Sequence, residues 1–272
     1  MNKKELSLPK KLYKYESWNE QSLANLKNQQ LYFSDPRLFN DPFDSSIGCI
    51  FEDITEEEFS LLHSHNRNNY PNESKFIKEY GDTPSEKFKS FIRPILEDEF
   101  KKATDQFFNK NGVTCFSESN DEILMWSHYA KSHTGFCLEF DTSIEPFNKA
   151  RKVEYQTGFP SINPAKAFLD PDSSEALKLA LTKYKKWEYE KEWRLVHKER
   201  NKLFGYPTEA LTAIYFGAKI NPAHLEILIL LLQGQNPHVA FYNGRKSKTQ
   251  FKVEFNRFEY TSYLEAKRSG LA

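Results

Sequence analysis

"CFSESNDEILMWSHYAKSHTGFCLEFD", from Cys115 to Asp141, is the stretch on which the reading of the fold turns. It begins on the strand-like "GVTCFS", runs through "DEILMWSHYAK", a helix of about three turns, and ends on "GFCLEFD". In that last segment Phe136, Leu138 and Phe140 alternate with Cys137, Glu139 and Asp141, the period-two pattern of a half-buried strand. On the helix, Trp126 and Tyr129 stand three positions apart and His133 follows one turn later, on the same face, with His128 partly to the side. Two readings are open. Met125, Trp126 and Tyr129 form a core-facing stripe with the histidines as caps, or Trp126, His128 and Tyr129 form a rim that stacks on a planar ligand ring. Ser119, Asn120 and Asp121 are all helix-capping types, which leaves Ser117 either as a further cap or as a hydroxyl offered to a ligand.

Upstream, "KLYKY" reads as a short aromatic strand and "NEQSLANLKNQ" as a helix capped by Ser17 or Asn19. "LYFS" is a second strand, stopped at Asp35-Pro36. In "FNDPFD", Asn40, Asp41 and Asp44 are either turn formers or a ligand-binding loop beside a strand edge. From Phe51 to Phe108 the pattern is helical and charged, with Thr83 as cap, Pro84 at the first position and Pro94 as a kink, preceded by a polar loop, "HSHNRNNYPNES".

Downstream, "RKVEYQ" is expected beside "GFCLEFD", and a long charged helix runs through "SSEALKLALTKYKKWEYEKE" into the strand "EWRLVHK". There Glu190, Glu192 and Arg194 are expected on one strand face, as an ion pair or as carboxylates in a cleft. "LTAIYFGAKI" is an apolar strand. Asn221 and Pro222 start the helix "PAHLEILILLLQG", closed by Gly234, and the chain ends in a hairpin turning at Asn243-Gly244. These elements predict a single α+β domain over 1–272: a mixed, mostly antiparallel, aromatic-rich sheet flanked by helices, with a helical insertion at about 52–110 and a C-terminal helix and hairpin over 221–272.

The 23 Phe and 14 Tyr supply a core for a chain of 272 residues. Lys plus Arg equals Asp plus Glu at 38 each, which argues against a whole-surface footprint for nucleic acid or anionic membrane. Three cysteines without a CxxC pair fit reduced thiols, and no apolar run is long enough for a signal peptide or a bilayer span, so a cytoplasmic protein is expected. No HExxH, GxSxG, GxGxxG or phosphate-loop pattern occurs, and no metal site is expected.

The blocks from "LYKYESW" through "FNDPFD", "CFSESNDEILMWSHYAKSHTGFCLEF", "YEKEWRLV" and "IYFGAKI" resemble, over about residues 12–220, a bacterial domain-of-unknown-function family, number twenty-nine seventy-one in its series. The order of elements also resembles that of ADP-ribosyltransferases, in particular the DNA-modifying toxin branch. That resemblance implies NAD as substrate, a nucleic-acid or protein acceptor and a defence or toxin role. It places Lys14 or Tyr15 as the first-strand anchor of NAD and Tyr32 or the "FND" loop, with Asn40 and Asp41, against nicotinamide. Glu192 falls on the nicotinamide ribose, with Ser117, Trp126, His128 and Tyr129 as walls and Arg194 keeping Glu192 ionised. "LYKY" carries neither His nor Arg, and Lys14 offers a point charge in place of a planar fork. Alternatives are a non-catalytic ligand- or partner-binding module, and a nuclease in which Asp41, Asp44, Glu139 and Glu192 meet at magnesium.

Overall fold

The computed structural model describes residues 8–44, 48–170 and 175–270. The chain is mixed α+β and forms two compact units, one of Met1–Ser34, Gly112–Val153 and Lys186–Ala272, the other of Asp35–Asn111 and Glu154–Lys185.

The first unit is built on an eight-stranded sheet. Across it the strands run Val253–Phe258, Ala240–Lys246, Leu211–Phe216, Phe136–Asp141, Lys11–Glu16, Gly112–Ser117, Glu192–His197 and Arg151–Lys152. All neighbours are antiparallel except Leu211–Phe216 and Ala240–Lys246, which run parallel and are joined by the crossover helix Pro222–Gln235. One face carries Leu12, Phe116, Leu138, Phe140, Trp193, Leu195, Ile214 and Phe216, packed with Leu26, Leu228, Ile229 and Leu232 of two covering helices. The first of those helices, Glu20–Lys27, starts at a capping box: Asn19 accepts from the Ser22 amide and Ser22 returns the bond, while Ser17 instead donates to the Tyr129 carbonyl.

Several local expectations give way to tertiary demands. The helix after Glu122 spans only Ile123–His128, because Lys131, Ser132 and His133 adopt left-handed backbone and turn the chain back into the sheet. In place of one long charged helix there are a short helix Glu175–Ala180, a strand Thr182–Tyr184 and a 3-10 turn Lys185–Glu190; Ser173 and Ser174 lie outside the described residues. Arg151–Lys152 pairs with Glu192–His197 and not with Phe136–Asp141, and Glu154–Gln156 pairs in parallel with Thr182–Tyr184. Gly234 stays inside its helix, which ends at Gln235 and is capped by Asn236. Asn243 and Gly244 lie within a strand, and the reversal falls between Lys246 and Val253. Gly244 serves close approach, since a Cβ there would sit 2.5 Å from the Phe216 carbonyl oxygen.

The second unit holds the expected helical segment as helices Glu56–Asn69, Glu73–Tyr80 and Glu86–Lys110 around Phe59, Leu62, Phe76, Phe88 and Ile92. "HSHNRNN" is helical because His63 is buried edge-on between Phe76 and Phe88, at 5.0 and 4.9 Å. Ser85, not Thr83, is the cap of the last helix. Among the described residues no helix is long and apolar enough to cross a membrane.

Candidate functional site

The face of the first unit's sheet opposite the main core is rich in tyrosine and combines a second buried cluster, around Trp126 and Cys137, with buried charged side chains. Cross-strand partners share a face, so the pairings Glu192 with Ser117, Ser117 with Tyr13 and Tyr13 with Glu139 set four side chains in one row across four strands. The next row holds Arg194 opposite Cys115, then Tyr15, Cys137, Tyr215 and Tyr242.

Glu192 and Arg194, two positions apart on their strand, form a bidentate pair: Arg194 Nε donates to Oε1 at 2.8 Å and Nη2 to Oε2 at 3.1 Å. Both are buried, at 4% and 0% exposure. Burial, then the adjacent Glu192 charge, pushes the Cys115 thiol well above its ordinary range, so it stays protonated. Glu190 does not join this strand face. It closes the preceding 3-10 turn, Lys191 takes left-handed backbone, and the strand starts only at Glu192. Glu190 accepts from the Tyr129 hydroxyl at 2.6 Å through its side chain and from Ser117 Oγ at 2.6 Å through its carbonyl. Ser117 also accepts from the Ser119 amide, so its hydroxyl is occupied in tying the strand end to the Glu190 turn and is not offered to a ligand.

Glu139 is the second focus. It accepts from Tyr215 at 2.6 Å and from Thr212 at 2.7 Å, with Lys11 at 3.7 Å, and it is the cross-strand partner of Tyr13. Burial and then the Glu139 carboxylate raise the Tyr13 phenol, while burial and the hydrogen bond to Glu139 raise that of Tyr215. Tyr215 stacks on Tyr242 at 4.6 Å and meets Tyr13 edge-on at 5.9 Å. Tyr13, Thr212, Tyr215 and Tyr242 are not among the candidates the sequence singles out, and Glu139 is one only as a magnesium ligand. The signal was present in the alternation of "KLYKYE", which places Tyr13 beside Tyr15, and of "GFCLEFD", which places Glu139 on the face away from Phe and Leu.

The other expected site residues are dispersed. Lys14 alternates onto the opposite face, with Nζ 5.7 Å from the Phe116 ring and 3.7 Å from Glu16, and does not stand beside Glu192. Tyr15 is buried and donates to the Ser119 carbonyl at 2.8 Å. Trp126 is fully buried; its Nε1 donates to the Asn120 carbonyl at 2.7 Å and its ring meets Tyr15 edge-on at 5.2 Å. It is a core residue, not a ligand wall, and His133 reaches its face through the left-handed turn and not by helical spacing. Tyr129 is half-buried and His128 exposed, edge-on to Trp187 at 6.3 Å. Tyr32 is exposed on a separate ladder, Gln30–Phe33 with Lys202–Gly205, whose end pairs Ser34 with Val113. Val113 lies four residues from Ser117, about 13 Å along the strand, which separates Tyr32 from Glu192. Asn40 and Asp41 belong to the second unit; Asp41 forms a turn, accepting from the Phe43 amide at 2.9 Å.

Among the described residues no group of three or more His, Cys, Asp or Glu side chains is placed to hold a metal ion. Glu139 and Glu192 stand three strands apart, about 14 Å, and do not share one ion. No curated protein and no solved structure matches the chain. Residues 125–195, which carry Trp126, Tyr129, Glu139, Glu190, Glu192 and Arg194, match the model of a protein family of unknown function (DUF2971), and over that span the family resemblance is supported.

Proposed function

We propose that the chain is an ADP-ribosyltransferase-like enzyme that uses NAD, with Glu192 as the carboxylate that acts on the nicotinamide ribose. The observation that carries this reading is Glu192 itself: a carboxylate at the head of a strand, fixed by a guanidinium fork, in one row with Tyr13 and flanked by the Tyr129–Glu190 pair. Rupture of the nicotinamide–ribose C–N bond sends the bonding electrons to the ring nitrogen, which leaves as neutral nicotinamide, and builds positive charge on the ribose. A rigid carboxylate stabilises that charge without reorganising. An acceptor hydroxyl or water then attacks the ribose carbon and releases a proton.

The test is incubation with NAD labelled in the nicotinamide, or in the adenylate with cell extract as acceptor. Release of nicotinamide is expected, and Glu192→Gln should slow it about 10²–10³-fold with the folded state retained. A wild-type chain that neither binds NAD by calorimetry nor releases nicotinamide overturns the proposal. The second reading, a non-catalytic ligand- or partner-binding module, is favoured by the same pair: both carboxylate oxygens of Glu192 already accept from Arg194 at 4% exposure. Under it the wild type binds a nucleotide without cleaving it, and Glu192→Gln changes stability alone.

A further inference from the structure

The second unit holds a cavity of about 210 Å³ bordered by Phe43, Phe159 and Tyr184, with Gln156 and Lys183 also on its walls. The three rings are 61%, 48% and 45% exposed. Among the described residues none of them is packed on another aromatic ring, whereas other rings of the same unit, such as Phe76, Phe88 and Tyr80, pair with one another. Leaving three large rings half in water, around a gap that none of them fills, forgoes apolar burial that an occupant would recover.

The walls are held in place. Asp41 accepts from the Phe43 amide, the Asp44 amide donates to the Asp41 carbonyl at 2.9 Å, and the Asp44 side chain pairs with Lys183 at 3.3 Å where both are almost fully buried. Gln156 and Tyr184 are cross-strand partners in the parallel pair Glu154–Gln156 and Thr182–Tyr184, so amide and ring present side by side. The Gln156 side chain bonds to no group among the described residues.

We propose that this cavity binds one planar heteroaromatic ring of the nucleobase class, stacked against the exposed aromatic walls with its polar edge on the Gln156 amide. The volume is below the roughly 300–1,000 Å³ of sites for drug-sized ligands, so it admits one ring system and not a whole dinucleotide. Aromatic walls stack on any base, because every base has a π-face. A side-chain amide carries a donor and an acceptor together, the complement of an adenine edge that presents an acceptor and a donor together. A hydrocarbon ring would satisfy the walls and leave the amide unpaired. This site lies in the second unit and makes no use of Glu192, so it stands or falls apart from the NAD reading.

The experiment is titration of the full chain with adenosine, and separately with toluene, by calorimetry or saturation-transfer NMR. Adenosine is expected to bind the wild type. Phe159→Ala and Tyr184→Ala, both at exposed positions, should weaken it about ten- to a hundredfold. Gln156→Ala should weaken adenosine about tenfold and leave toluene unchanged. The proposal is overturned if adenosine does not bind at millimolar concentration, if it binds Phe159→Ala and Tyr184→Ala as it binds the wild type, or if Gln156→Ala leaves its affinity unaltered.

Discussion

Replacing Trp126 by Ala tests whether the stretch from Cys115 to Asp141 is core or ligand wall. The indole is fully buried against Tyr15 at 5.2 Å and Phe255 at 5.7 Å, and its Nε1 is the donor to the Asn120 carbonyl. Removing a buried Trp side chain costs about 3–5 kcal/mol through lost transfer energy and the cavity left behind. The orphaned Asn120 carbonyl is half-buried and regains water, so it adds little to that range. At 1.36 kcal/mol per decade, 3–5 kcal/mol is about 150- to 5,000-fold in an opening equilibrium. The assay is hydrogen exchange of the slow amides in Phe136–Asp141, a central strand whose Cys137 packs in the same cluster as Trp126. Their protection should fall by that factor, while Trp126→Phe, which keeps most of the volume, should lose much less. Protection lowered by less than about fivefold, near 1 kcal/mol, in Trp126→Ala would refute the core assignment and restore the ligand-wall reading.

Two further changes probe the same unit. Gly217→Ala would place a Cβ 2.3 Å from the His133 carbonyl oxygen and 2.9 Å from that of Gly135, both backbone atoms in the turn that the Gly217 and Lys219 amides bind. A loss of at least about 2 kcal/mol is expected in urea unfolding, and an unchanged midpoint would contradict the contact. Burial raises the Glu118 carboxyl, but hydrogen bonds from Lys152 and Trp193 outweigh it and hold the group below the ordinary glutamate range. With the folded value depressed, its contribution is fully present above pH 4.5 and is lost as pH falls through the folded value. Glu118→Gln should therefore flatten the loss of melting temperature below pH 4.5, and identical acid limbs in the two proteins would count against it.

The class of fold was legible because it rests on local patterns. Alternation in "KLYKYE" and "GFCLEFD", the Asn19 and Asn221-Pro222 helix starts and the apolar "LTAIYF" each encode their own element. Period-two alternation also assigns Tyr13, Glu139, Glu192 and Arg194 to one side of their strands. The sequence could not say which strands stand side by side. Register between distant strands depends on the whole sheet, so the row of Glu192, Ser117, Tyr13 and Glu139 exists only after four segments from three parts of the chain have paired. The same limit explains the errors. A left-handed turn at Lys131–His133 cut a helix that propensity would extend, and Asn243-Gly244 has hairpin chemistry but was spent on the close approach of Gly244 to Phe216. Local chemistry determined what each segment is, and alternation put Lys14 on the face away from Tyr13; packing alone decided that Trp126 is core, that Tyr32 is away from Glu192, and that Phe43, Gln156 and Tyr184 border a single cavity.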